Sequence, residues 1–254
     1  MSRRIDRTGE IATNNYGSEM RIDVYRNCMD MDVYFPEYDW TARHVRYNKF
    51  EDGEIKCPYE RRTYGVGYMG VGQYDSRENG KLSKCYVAWS GMLERCYSQA
   101  YHERKPSYIG CTVCDEWHNF QNFAEWYYEH YYEIEGKRTD LDKDILVKGN
   151  KEYSPYACVF VPQEINLLFT KSNAVRGEYP VGVYYHQEKR KFVAQCNTLG
   201  KKKWIGNYDN KTDAFVAYKD FKEAYIKKVA NDYMEDIPYV LYEAMMNYSV
   251  EWDD

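Results

Sequence analysis

The sequence predicts an α+β protein with a β-rich N-terminal unit, a small α+β middle, and a C-terminal three-stranded antiparallel sheet followed by one helix. Three observations predict it. Apolar residues alternate in short runs before residue 60, recur at helical spacing from Tyr86, and return to alternation near Val181. A chain of 254 residues suits two or three compact units. Glycines crowd between Tyr64 and Gly80, at Gly65, Gly67, Gly70, Gly72 and Gly80, where a linker or irregular loop is expected. The expected segments are therefore 1–63, the β-rich unit; 64–85, the glycine-rich linker; 86–170, the α+β middle; 178–230, the sheet–helix module; and 231–254, an acidic tail.

In the first segment, residues 20–25 and 31–35 are the clearest strands, with turns at 14–17 and 27–30. Several strands in so short a span predict a small barrel or curled sheet. Gly65-x-Gly67-x-x-Gly70 has the spacing of a dinucleotide fingerprint. It follows no buried parallel strand and opens no helix, so it is read as loop.

In the middle segment, Trp89, Met92, Leu93 and Cys96 share one helical face. Trp117, Phe120, Phe123, Ala124 and Tyr127 form a second apolar stripe, and both stripes are read as core. Cys111-x-x-Cys114 is half of a structural zinc site, with Cys158, His118 and His130 as the other available ligands. The competing reading is half-buried thiols beside an aromatic helix. The Tyr-rich stretch 126–132 fits either an intramolecular core or a second copy of the chain.

The last folded segment carries strands at 183–186, 191–196 and 202–206, separated by turns at 187–190 and 199–200. Ala214, Tyr218, Phe221, Tyr225 and Val229 then fall on one face of a helix over 210–229.

Charge is unevenly placed. Residues 171–230 hold 13 Lys and Arg against 6 Asp and Glu, or +7; residues 231–254 hold no base and 7 acids, or −7. The whole chain is −5. A basic module on an acidic chain still presents its own local field, because charges beyond ~10 Å are largely screened at ~0.1 M salt. The acidic tail, folded over the module, would block it.

The N-terminus lacks the apolar core of a signal peptide, no apolar run reaches the ~20 residues that cross a bilayer, and eight scattered cysteines suggest reduced thiols. A cytoplasmic protein is expected. The 29 tyrosines give the chain large side chains with a polar handle, suited to small cores and to interfaces.

Two resemblances add to this. The three strands, the Trp204-Ile205-Gly206-x-Tyr208 stretch and the helix resemble the APETALA/ethylene-response-factor domain, the integrase-type DNA-binding fold. The run from Tyr86-x-x-Trp89-x-x-Met92-x-x-Arg95-Cys96, through Leu141-Asp142-Lys143-Asp144 and Tyr153-Ser154-Pro155-x-x-Cys158, to Asn166 resembles phage-encoded HNH-endonuclease-like proteins.

The resemblances imply a bacteriophage protein acting in the host cytoplasm, derived from a homing-type endonuclease and partnered by DNA. The DNA-facing positions they imply are Tyr184, His186, Arg190, Lys191, Gln195, Lys202 and Trp204. Val181 and Tyr184 stand where the family has arginines, which argues against tight sequence readout. HNH chemistry needs a general base and a divalent metal at the scissile phosphate. Here the base position is Lys143, the orienting-Asn position is Ala157, and only Asn166 remains of the metal-proximal end. A catalytically inactive protein without cofactors is therefore expected.

Three alternatives stay open. One is an active nuclease holding Mg²⁺ on Asp142 and Asp144. Another is zinc on Cys111, Cys114 and Cys158. The last is an anti-defence protein that inhibits a bacterial immune complex through protein–protein contacts.

Overall fold

The computed structural model describes residues 5–170 and 178–253; residues 1–4 and 254, the outer ends of the first and last expected segments, lie outside them. The chain divides into two compact units, Met1–Glu129 and His130–Asp254, and the division falls inside the expected 86–170 segment.

The first unit begins as an antiparallel meander of β1 (Ile11–Thr13), β2 (Glu19–Asn27), β3 (Asp30–Phe35) and β4 (Trp40–Val45), in that order. Both expected turns are present. The Asn14 side chain accepts the amides of Tyr16 and Ser18, and that of Asn27 accepts the amide of Met29. Register shifts in both the β2–β3 and β3–β4 pairings curl the sheet, as extra residues in a ladder do. Met20, Ile22, Met31, Val33 and Phe35 fill its inner side with Phe50 of α1 (Tyr47–Glu51).

The glycine-rich stretch is not a spacer. A Cβ on Gly67 would lie 2.4 Å from Leu93 Cδ1 and 2.9 Å from Trp89. The Gln121 amide donates to the carbonyls of Met69 and Tyr74 and accepts from the Tyr74 amide, stapling the stretch to the helix that begins at Phe120. The glycines are there because backbone and aromatic rings approach more closely than a side chain permits. Beyond them, Asn79 and Gly80 both take positive φ in a hairpin between β5 (Arg77–Glu78) and β6 (Lys81–Leu82).

Ser83 caps α2 (Lys84–Tyr97) by accepting the Tyr86 amide, and Trp89, Met92, Leu93 and Cys96 are all buried, as the spacing predicts. α3 (Gln99–Arg104) and the short β7 (Thr112–Val113) follow. Trp117 belongs to a single 3₁₀ turn just before α4 (Phe120–His130), rather than to that helix. Its carbonyl accepts the Trp89 indole N–H at 2.7 Å, and its ring packs on Phe123 and Trp126. Trp126 and Tyr127 are thus core residues of this unit.

The second unit opens with β8 (Thr139–Asp142), the short β9 (Glu152–Tyr153) and β10 (Val159–Pro162), then α5 (Gln163–Phe169). β8 and β10 pair antiparallel, with Asp142 opposite Val159. Next come β11 (Val183–His186), β12 (Lys191–Thr198) and β13 (Lys201–Tyr208), an antiparallel sheet in sequence order, then α6 (Lys211–Asp232) and α7 (Tyr239–Met246).

Asn210 caps α6 by accepting the Asp213 amide. At 22 residues α6 is about 33 Å long and serves two cores. Its first half puts Ala214 and Tyr218 against Val183, Ala194 and Cys196 of the sheet. Its second half puts Ile226, Val229 and Ala230 against Val159, Val161, Ile165 and Leu168.

The expected acidic tail is folded. Ile237, Leu241 and Met245 are buried in the second of these cores, and Val250 in the first. Lys219 donates to the Val250 carbonyl at 2.5 Å, Glu223 accepts the Val250 amide, and Trp252 packs on Phe215. The acids among the described residues are exposed, on the solvent side of an ordinary amphipathic arrangement that a simple charge count obscures. No described helix is long and apolar enough to cross a membrane.

Candidate nucleic-acid interface

α6 packs against β11, β12 and β13, so the sheet has one covered side and one open side. Side chains alternate between them. Phe192, Ala194 and Cys196 face the helix core, which leaves Lys191, Val193, Gln195 and Asn197 on the open side of the central strand. Register extends that side across the sheet. His186 lies opposite Lys191, Tyr184 and Asn207 opposite Val193, Trp204 opposite Gln195, and Lys202 opposite Asn197.

Six of the seven expected positions, Tyr184, His186, Lys191, Gln195, Lys202 and Trp204, therefore share one face. Arg190 does not. It sits in the turn before β12 with φ of +48°, at one end of the face.

Asn207 and Asn197 join the face although the sequence did not single them out. Asn197 follows from simple alternation after Gln195. Asn207 does not, because counting by twos from Trp204 puts it on the helix side. The register shift at Ala194/Gln195 leaves Ile205 without a partner and reverses the alternation.

Gly182 seats the sheet on the helix. Its φ is +74°, and a Cβ there would stand 2.1 Å from the Tyr218 ring. Its carbonyl accepts the Gln195 amide at 2.9 Å, fixing the central strand beside it.

Electrostatically the face is basic with local counter-charge. Lys191 is ion-paired with the exposed Asp209, a pairing that contributes little in water. Lys202 extends from the exposed edge of β13. The Trp204 indole N–H makes a long hydrogen bond, 3.5 Å, to Asn207 Oδ1, and the residue is 60% exposed. Beneath the sheet, Lys222 is buried on α6, and burial lowers its pKa and raises that of the Cys196 thiol near it.

The positions that the HNH resemblance singles out make the following contacts. Asp142 Oδ1 accepts the amides of Asp144 at 2.7 Å and Ile145 at 2.8 Å, closing the turn after β8; burial pushes its pKa up against those hydrogen bonds. The Lys143 side chain is only 7% exposed and donates to Asp144 Oδ1 at 2.6 Å and to the Asn150 carbonyl at 2.9 Å. Asp144 is thus engaged by a lysine. Ala157 is buried, and Asn166 is half-buried on α5, where its carbonyl accepts the Thr170 hydroxyl.

Cys111 and Cys158 are buried and Cys114 is half-buried. Among the described residues, the group with metal-ligand spacing is Asp30, Asp32 and His44, and contains no cysteine. Arg26 already occupies it, donating to Asp30 at 3.1 Å and to both oxygens of Asp32 at 3.0 and 2.8 Å. Those bonds, with the His44 amide, hold the Asp32 carboxyl down at about 2. A guanidinium there supplies the charge that a cation would, so the group reads as an ion-pair network.

No protein-family model matches the chain, and neither a curated protein nor a solved structure does.

Proposed function

We propose that the chain binds DNA through the open face of the β11–β13 sheet, as a catalytically inactive protein of the homing-endonuclease type encoded by a phage. The observation that carries this reading is the shared face of Tyr184, His186, Lys191, Gln195, Lys202 and Trp204, with α6 on the other side of the sheet. Lysines at its ends suit phosphate, and Gln195 at its centre offers an amide that pairs in two places with adenine.

Inactivity follows from Lys143. An ammonium donating to two acceptors has no lone pair with which to activate water. The folded C-terminal segment packs on α6, not on the open face, so the reading includes no block by the acidic residues.

The test is DNA binding across a salt series. Changing Arg190, Lys191 and Lys202 together to Glu is expected to abolish most binding, with roughly one unit of log–log salt slope lost per phosphate contact. A parent protein that does not bind DNA, or a triple variant that binds like the parent, defeats the reading.

A second reading is an inhibitor of a host defence complex. The observation that favours it is the exposure of Met234, Tyr239 and Val240 where α6 passes to α7. Capture of a host protein that survives nuclease treatment of the lysate would support it.

A further inference from the structure

We infer that the bases taken by the open face are unpaired: its ligand is single-stranded DNA, held by stacking on Trp204 and Tyr184. The inference rests on the proposed nucleic-acid function and narrows it.

The order of side chains along the face carries the argument. His186 and Lys191 stand at one end, then the row Tyr184, Val193 and Asn207, then Gln195 and Trp204, then Asn197 and Lys202 at the other end. Rows two residues apart are separated by about 7 Å, so the face is about 20 Å long. It is basic at both ends and aromatic in the middle.

Tyr184 and Trp204 lie on the two edge strands, either side of the buried Val193, in neighbouring rows. They are 40% and 60% exposed, although the sheet has a core on its other side able to bury such rings. Exposed aromatic side chains offer a stacking platform for bases, and that stacking is tolerant of sequence because every base has a π-face.

A duplex offers this face little. Its bases are already stacked, and its grooves present edges read by hydrogen-bonding groups, above all by paired guanidinium donors to guanine. The middle of this face has no arginine. Its side chains with that capacity are Gln195 and Asn207, and Asn207 Oδ1 already accepts the Trp204 indole N–H. Lys191 and Lys202 at the two ends are placed to follow a backbone passing over the rings.

The experiment compares fluorescein-labelled dT20 with a blunt 20-base-pair duplex, both titrated with the full chain at one salt concentration. The expected result is at least tenfold tighter binding of dT20. Trp204→Ala and Tyr184→Ala should each weaken dT20 binding roughly tenfold, with Trp204→Phe near the parent. The melting temperature of each variant is measured alongside; should Trp204→Ala unfold, Tyr184→Ala still decides. Equal or tighter duplex binding, or alanine variants that bind dT20 like the parent, overturns the inference while leaving DNA binding intact. Failure to bind either probe removes the proposed function as well.

Discussion

Gln195 and Trp204 sit opposite one another across β12 and β13, on the side of the sheet that α6 leaves open and immediately past the register shift at Ala194. That shift brings Trp204 and Asn207 onto the same side although they are three residues apart. The exposed Trp204 ring contributes little to the fold, since surface substitutions usually change stability by ~0.5 kcal/mol or less.

Gly182 shows the opposite behaviour. Gly182→Ala adds a methyl group 2.1 Å from Tyr218 at a φ of +74°, combining overpacking with left-handed strain. A loss of about 2–4 kcal/mol is expected for the second unit. Gly200→Ala, at φ +87° but with no atom within 4 Å of the new Cβ, should cost about 1 kcal/mol. Chemical denaturation of both variants checks the contrast, and equal losses would refute it.

The C-terminal segment should behave as core. Leu241→Ala removes a fully buried side chain from a well-filled cluster, and a loss of 2–5 kcal/mol is expected. Glu243→Gln, on the outer side of the same helix, should change stability by less than ~0.5 kcal/mol. A merely electrostatic tail predicts the reverse order in a thermal-melt comparison.

These contrasts mark what was legible. The three C-terminal strands and α6 were readable because alternation and helical spacing survive in Val183–His186, Lys191–Thr198 and Ala214–Val229. The α2 face was readable for the same reason. The glycine-rich stretch is irregular as expected, but composition cannot distinguish a glycine that gives freedom from one, such as Gly67, that gives room. Ile237, Leu241 and Met245 keep a helical spacing of four, but the seven acids around them directed the sequence reading to charge rather than to burial. The bulge beside Ile205 has no local signature, so Asn207 stayed hidden until the register was known. For the site, single residues were legible as a face. The hydrogen bonds that divert Asp142 and Lys143 to structural work depend on a turn the sequence did not reveal.

Acid should weaken the first unit through His118. Its ring is buried beside Tyr97, whose hydroxyl lies 3.3 Å from Nε2, and burial pushes its pKa down against the opposing pull of Asp115. The unfolded chain then binds the proton more tightly than the folded one. The stability tied to neutral His118 is present above the ordinary histidine value of about 6.5 and is lost as pH falls through it. Melting temperature should drop between pH 7.5 and 5.5, and His118→Gln should flatten that slope. A parent slope unchanged by the substitution would show that other groups titrate there.

The last prediction concerns cleavage. With Lys143 donating to Asp144 and Asn150, and Asp142 accepting two backbone amides, neither a general base nor a free pair of carboxylates is available at the turn after β8. Supercoiled plasmid incubated with the protein and Mg²⁺ or Mn²⁺ should stay intact. Asp142→Ala should act on stability instead, costing about 1–3 kcal/mol because two turn amides lose their acceptor. Nicking by the parent that disappears in Asp142→Ala or Asn166→Ala, in variants that remain folded by circular dichroism, would establish an active nuclease. Nicking that survives both variants would point to a contaminant.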